Sequence, residues 1–263
     1  MRWGLGAVVK VSNGDPKGRY GDPEHLHRLP TVDQADARWP VCLIMTTFVT
    51  ANRVAAYTRN ALAWATALAS LSEPTRFFVV RTSGARLPIK HRTGVHQLAY
   101  KQTRCAGKHG NRSGFWQERS WAQGEYCIGH GQSKGEAGAI EHVMNSVEAL
   151  NCAFFVKVTG KYFTPDLPAA LRRVPASCAL LVQSSRSVHG QNSELFGGSP
   201  EVFRKIIHEV TTGNNAMETV LLRERERERG RGSNSCILPI LSINWSITGE
   251  QLTAGNGELY LSL

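Results

Sequence analysis

Hydrophobic positions fall into short continuous runs separated by longer stretches with helical spacing. Val41–Met45 is an unbroken apolar run closed by Thr46 and Thr47, the pattern of a strand covered on both faces. Between Asn52 and Ser70, the residues Val54, Ala61, Leu62, Ala65 and Leu68 recur near the spacing of one helical face, and Pro74 punctuates the segment. Phe77–Val80 predicts a second strand, and Gln97–Tyr100 a short β pattern. Ser133 with Glu136 three residues on reads as a capping box. It opens a helix to about Leu150 whose inward face is Ile140, Val143, Met144, Val147 and Leu150. Ala153–Val156 and Ala179–Val182 predict further buried strands, with a short helix capped by Asp166 between them. Ser199 and Pro200 open a helix that turns Val202, Phe203, Ile206, Ile207 and Val210 inward. Another begins near Asn215 with Glu218 at its third position. It continues through the alternating arginines and glutamates of Arg223–Arg229 and stops at Gly230; that alternation predicts a solvated helix end. Ile237–Ile243 is the last predicted strand.

Strands alternating with helices imply an α/β fold: an open, mainly parallel sheet of about six strands with helices on both faces. Val41–Met45, Phe77–Val80, Ala153–Val156 and Ala179–Val182 are expected at its centre. Residues 1–39, rich in Gly, Pro, Asp and His without periodicity, predict a flexible N-terminal extension, and residues 40–263 a single domain. Residues 101–132 read as a long basic loop with Phe115, Trp116 and Trp121 interleaved. Ligands in such sheets sit beyond the carboxyl ends of the strands, which makes the residues there the candidates for chemistry.

Composition narrows the partners. A chain of 263 residues with 41% apolar content can build one full core, and its net charge of +10 favours anionic partners. No nucleic-acid recognition motif accompanies that charge, which is scattered, so no clear nucleic-acid partner is expected. No apolar run is long enough to span a membrane, and Met1–Lys10 lacks the apolar stretch of a secretory leader, so the expectation is a cytoplasmic protein. The six cysteines contain no C-x-x-C pair and are expected first as free thiols, with one or more disulfides as the alternative; Cys42, Cys152 and Cys178 would act as small hydrophobes. Only five aspartates occur, and Asp166 is the one beyond Ala37, so a two-aspartate metal site is short of ligands. Neither a metal nor a bound cofactor is expected.

Phosphate-loop, dinucleotide-fingerprint and zinc-type spacings are absent from the sequence. Gly131–Gly135 fits G-x-S-x-G, the nucleophile elbow of serine hydrolases. With His189 or His208 as base and Asp166 as orienter it supplies an alternative function, but the preceding segment is too short and Gly-rich for a central strand, and Ser133 reads as a helix cap. Val156–Tyr162 is more informative, because a buried strand opens into Lys157, Thr159, Gly160, Lys161 and Tyr162. Two ammonium groups suit phosphate, Gly160 permits a tight turn or a close approach to a ligand, and Tyr162 can stack on a base or hydrogen-bond to a sugar.

These pieces together resemble GT-A-like glycosyltransferases of polysaccharide biosynthesis that lack a clear D-x-D motif. The resemblance rests on Lys134, Gly135 and Glu136, on Lys157–Tyr162, on Ser193–Gly197, on Met217 and Glu218, and on the opening strand that ends in Thr46 and Thr47. It implies transfer of a sugar from a nucleotide-diphosphate donor to a saccharide or glycan acceptor. Where most such enzymes carry D-x-D with its metal, this chain has Lys157 and Lys161, which implies a metal-independent transferase using protein cations. Glu136, Glu194 and Glu218 are the candidates for the base, with Glu194, read as following a strand at the mouth of the sheet, first; Thr46, Thr47, Lys134, Glu136, Lys157, Gly160, Lys161 and Tyr162 are expected to bind substrate. A basic nucleic-acid- or nucleotide-binding protein without catalysis is the competing class, drawn from the net charge and the basic aromatic loop.

Overall fold

The computed structural model describes residues 40–49, 54–71, 74–84, 86–89, 95–100, 130–183, 193–213, 215–230, 235–238 and 244–245. The expected N-terminal extension, residues 101–129 of the basic loop, and His189 lie outside them.

The fold is the expected α/β arrangement. Among the described residues, seven strands form one sheet in the order β3-β2-β1-β4-β7-β6-β8. They are β1 (Val41–Val49), β2 (Thr75–Gly84), β3 (Val95–Ala99), β4 (Phe154–Thr159), β6 (Leu180–Gln183), β7 (Leu195–Gly198) and β8 (Ser235–Leu238). A two-stranded ribbon pairs β5 (Tyr162–Phe163) with β9 (Asn244–Trp245). Strand β7 runs antiparallel to both β4 and β6, while the remaining pairs in the large sheet are parallel. The helices are α1 (Val54–Ala69), α2 (His130–Met144), α3 (Leu167–Leu171), α4 (Pro200–Thr212) and α5 (Met217–Gly230).

Strand alternation divides the core. Leu43, Met45, Val79, Val156 and Val158 pack under α1 and α3 with Trp64 and Leu68. Ile44, Phe78, Val80, Phe155 and Phe196 pack under α2, α4 and α5 with Ile140, Val143, Phe203 and Ile207. Period two along a strand sends neighbouring residues to opposite faces, and both faces here are covered. Ser199 starts α4 as expected, accepting from the Val202 amide, with Pro200 in the first turn.

Several expectations are corrected. Strand β7 carried no strand signal, since two of its four residues are glycines. Gly197 is required there because a Cβ would come within 2.7 Å of the Phe155 carbonyl on β4. Helix α2 begins three residues before Ser133, so Ser133 lies inside the helix rather than capping it; its Oγ accepts from the Met217 amide of α5. The same helix stops at Met144, a 3-10 turn follows, and Val147 is 78% exposed rather than inward, as is most of Leu150. The Arg-Glu run of α5 is solvated on one face only, where Arg223, Glu226 and Arg229 are exposed. Glu224, only 2% exposed, accepts from Lys205 of α4 at 2.7 Å and pairs with Arg227, while Glu228 is also buried.

The free-thiol expectation is also overturned. Cys42 is bonded to Cys152, and Cys178 to Cys236, with Cα separations of 5.7 and 5.9 Å. Strand pairing causes this: β4 lies beside β1, so the residue just ahead of β4 meets the start of β1. Cysteines 110 and 58 residues apart therefore become neighbours, which no spacing rule reveals. Among the described residues no helix is long and apolar enough to cross a membrane.

Candidate functional site

The carboxyl ends of β1 and β4 lie side by side, with Thr46 paired to Thr159. Because β7 is antiparallel, its amino end, just after Ser193 and Glu194, arrives at the same edge, and the Thr159 amide donates to the Glu194 carbonyl at 3.0 Å. Glu194 was expected to follow a strand; it precedes one, and reaches the mouth of the sheet through the reversed direction of β7.

Lys157 and Thr46 point to the α2 face by strand alternation, and Glu136 faces them from α2. Thr46 Oγ1 donates to Glu136 Oε1 at 2.6 Å. Lys157 Nζ lies 3.0 Å from the same oxygen and donates to the Ser193 carbonyl at 2.7 Å. Lys157 is 2% exposed and Glu136 24%, so the ammonium is enclosed while its carboxylate partner still meets solvent. Lys157 is thus within the strand, one of six covered residues of β4, and not on the loop beyond it. Burial pushes the Glu136 carboxyl up. The Lys157 ammonium, the bonds from Thr46 and Lys157, and the more distant Lys161 outweigh that, and hold it below the ordinary carboxylate value.

A second layer sits at the rim. Lys161 Nζ lies 3.5 Å from Glu194 Oε1 and is 35% exposed. Tyr162 is fully buried, and its phenol stays protonated well above the ordinary value, first because of burial and then because it lies against the Glu194 carboxylate, with Glu136 adding to the effect. Ser193 joins the layers, its carbonyl accepting from Lys157 and its hydroxyl donating to Glu218 Oε1 at 2.5 Å. Glu218 occupies the first turn of α5, where the helix dipole favours a carboxylate.

Gly160 belongs to the α1 side of the same edge. Its amide donates to the Thr46 carbonyl at 2.9 Å, and its carbonyl accepts from Asn60 Nδ2 of α1 at 2.7 Å. A Cβ would lie 2.6 Å from the Tyr57 ring and 2.9 Å from Thr47 Cγ2. The close approach that glycine allows is therefore to the protein's own side chains. Thr47 Oγ1 donates to the Val80 carbonyl. Lys134 stands one turn-fraction ahead of Glu136 in α2, half-buried.

The structure therefore brings Thr46, Glu136, Lys157, Lys161, Tyr162, Glu194 and Glu218 into one network, with Thr47 and Gly160 packed against its α1 side. Sequence reasoning missed the linking role of Ser193 and the role of Asn60. The signal for Asn60 was a lone amide in an otherwise apolar helical stripe. Of the alternative hydrolase set, Ser133 is engaged by Met217, and His208 lies on the exposed side of α4. Among the described residues no group of three or more His, Cys, Asp or Glu side chains is placed to hold a metal ion.

No family model matches the chain, and no curated protein matches it. Similar solved structures include a protein assigned as a nucleotide-diphospho-sugar transferase from Desulfovibrio desulfuricans, 13% identical, with a TM-score of 0.43, covering 76% of this chain and 79% of that one. A glycosyltransferase involved in glycosylating the major capsid of PBCV-1 is 4% identical with a TM-score of 0.43, covering 75% and 80%. A 4-diphosphocytidyl-2C-methyl-D-erythritol synthase from Anaerococcus prevotii is 8% identical with a TM-score of 0.47, covering 80% and 91%.

Proposed function

We propose that the protein is a glycosyltransferase that moves a sugar from a nucleotide-diphosphate donor to a saccharide hydroxyl, with protein cations in place of a metal at the diphosphate. The observation that carries this reading is the convergence of Lys157, Lys161, Glu136, Glu194 and Glu218 at the carboxyl ends of β1 and β4, where open α/β sheets bind ligands.

The two lysines take different parts. Lys161, at the rim, meets the diphosphate directly, exchanging Glu194 for a phosphate oxygen. Lys157 acts from below: it holds Glu136 in place and adds its positive field. Glu136, kept ionised, accepts hydroxyl hydrogen bonds from the sugar. Glu194 is the base. The acceptor oxygen attacks the anomeric carbon, its proton passes to the Glu194 carboxylate, and the bond from that carbon to the diphosphate breaks, the electron pair leaving with the diphosphate. Charge grows on the departing group, so a fixed cation there stabilises the transition state more than the ground state.

Calorimetric titration of the full chain with a panel of nucleoside diphosphates, with and without EDTA, tests the reading. Binding that survives EDTA, together with sugar transfer from the matching donor, supports it. Absence of binding to every nucleotide in the panel sinks it, and binding that requires Mn²⁺ removes the metal-free mechanism.

A further inference from the structure

A carboxylate takes a proton from an acceptor hydroxyl only if its main chain is held still. The two oxygens must come within hydrogen-bond reach, and a misplacement of about 1 Å costs on the order of 100-fold in rate. Glu194 stands just ahead of β7, so its aim depends on how the amino end of that strand is fastened. The main chain at Ser193 and Glu194 is held at three points. The Thr159 amide of β4 donates to the Glu194 carbonyl at 3.0 Å. Lys157 Nζ, also of β4, donates to the Ser193 carbonyl at 2.7 Å. Ser193 Oγ donates to Glu218 Oε1 at 2.5 Å, and this third bond is the one that ties the segment to a helix.

Glu218 is a firm anchor for it. It lies in the first turn of α5 beside Met217, which is buried in the core under α2, α4 and α5. The Met217 amide donates to Ser133 Oγ of α2 at 3.4 Å, so the start of α5 is joined to the helix that carries Glu136. A side chain set on rigid elements in this way holds its partner to a fixed place. The serine hydroxyl has one hydrogen to give, and here it goes to Glu218. Glu218 Oε1 is therefore occupied within the protein by the residue next to Glu194.

We propose that Glu218 and Ser193 are positioning residues: their hydrogen bond fastens the amino end of β7 to α5 and so aims the Glu194 carboxylate at the acceptor hydroxyl, while Glu218 itself takes no proton. The assignment rests on the glycosyltransferase reading above, and it separates two carboxylates that stand as rival candidates for the base. The two roles make different demands on the side chain. Holding Ser193 needs an acceptor oxygen, whereas taking a proton needs a carboxylate. Glutamine at position 218 supplies the first and not the second.

The test is steady-state release of nucleoside diphosphate from UDP-glucose, UDP-galactose and GDP-mannose, with methyl glucoside or water as acceptor. It compares the full chain with Glu218→Ala, Glu218→Gln, Ser193→Ala and Glu194→Gln. Glu218 is half-buried and Ser193→Ala removes a single hydroxyl, and circular dichroism with urea midpoints checks that each variant is folded. Glu218→Ala and Ser193→Ala are expected to lower kcat by about tenfold or more with little change in KM, and Glu218→Gln to recover most of that loss. Glu194→Gln is expected to lower kcat by about 100-fold or more. The acid limb of the kcat/KM pH profile should persist in Glu218→Gln and vanish in Glu194→Gln. Glu218→Gln as inactive as Glu194→Gln, with its acid limb gone, makes Glu218 the base; that overturns the assignment and leaves the transferase reading standing. Wild-type kcat in both Glu218→Ala and Ser193→Ala overturns it in the same way. A wild type that releases nucleoside diphosphate from none of the three donors removes the transferase reading, and the assignment falls with it.

Discussion

Lys157 on β4 and Glu136 on α2 form an ion pair, Nζ to Oε1 3.0 Å, in which the cation is enclosed and the anion is open to the site. Such a pair costs much to break and little to replace. Leaving one charge buried without its partner typically destabilises by about 3–5 kcal/mol, whereas a volume-matched apolar replacement of both is often neutral. Lys157→Ala is therefore expected to lower unfolding free energy by about 3 kcal/mol or more in urea titration, and Lys157→Met with Glu136→Gln by markedly less. Equal losses from the single and the double variant would show that the pair is not coupled.

Stability should fall at both ends of the pH range. The folded Glu136 carboxyl titrates below its unfolded value, so its contribution is complete above the ordinary carboxylate range and is lost as pH falls through the folded value. Tyr162 is the reverse: the folded phenol holds its proton after the unfolded one has released it, so stability declines as pH rises past about 10. Thermal unfolding across pH 3 to 11 measures both limbs. Tyr162→Phe should flatten the alkaline limb while leaving the acid limb in place; an unchanged alkaline limb in that variant refutes the assignment.

Lys161 should separate catalysis from stability. It is one-third exposed and its contact with Glu194 is long, so Lys161→Ala is expected to change stability by less than about 1 kcal/mol. Loss of a cation that meets the leaving diphosphate should lower kcat for sugar transfer by about 100-fold or more. A variant that unfolds early, or one that transfers at the wild-type rate, contradicts the division of labour between the two lysines.

Gly160→Ala is expected to destabilise by about 1–3 kcal/mol, because the added methyl meets the Tyr57 ring and Thr47 in a packed layer. Tyr57→Leu in the same background should recover part of that loss by making room. Denaturant titration of the three proteins reads the effect, and no recovery would place the strain elsewhere.

Peptide mapping without reductant should yield Cys42 linked to Cys152 and Cys178 linked to Cys236. Each link closes a long loop in the unfolded chain, and removing one typically costs about 2–5 kcal/mol. Cys42→Ser should therefore lower the unfolding midpoint under non-reducing conditions and make no further difference once reductant is present. Recovery of all four as free thiols from freshly purified protein contradicts the pairing.

By itself the sequence determined where most helices and strands form, and that they alternate. It also pointed to Lys157–Tyr162 and Glu194 as a place of chemical interest. These are local properties: an apolar run, a helical stripe around Ile206 and Val210, or a Ser199-Pro200 start is written within a few residues. Tertiary structure alone decided the rest. Glycines hid β7, and its antiparallel direction is what brings Glu194 back to the end of β4. Thr46 and Glu136 are 90 residues apart, yet share a hydrogen bond because β1 lies under α2. Whether Lys157 faces solvent or is enclosed against the Glu136 carboxylate depends on which strands flank β4 and which helix covers that face. Side-chain periodicity is set by local backbone geometry, but the partner of a charged group is set by neighbours that only long-range packing supplies.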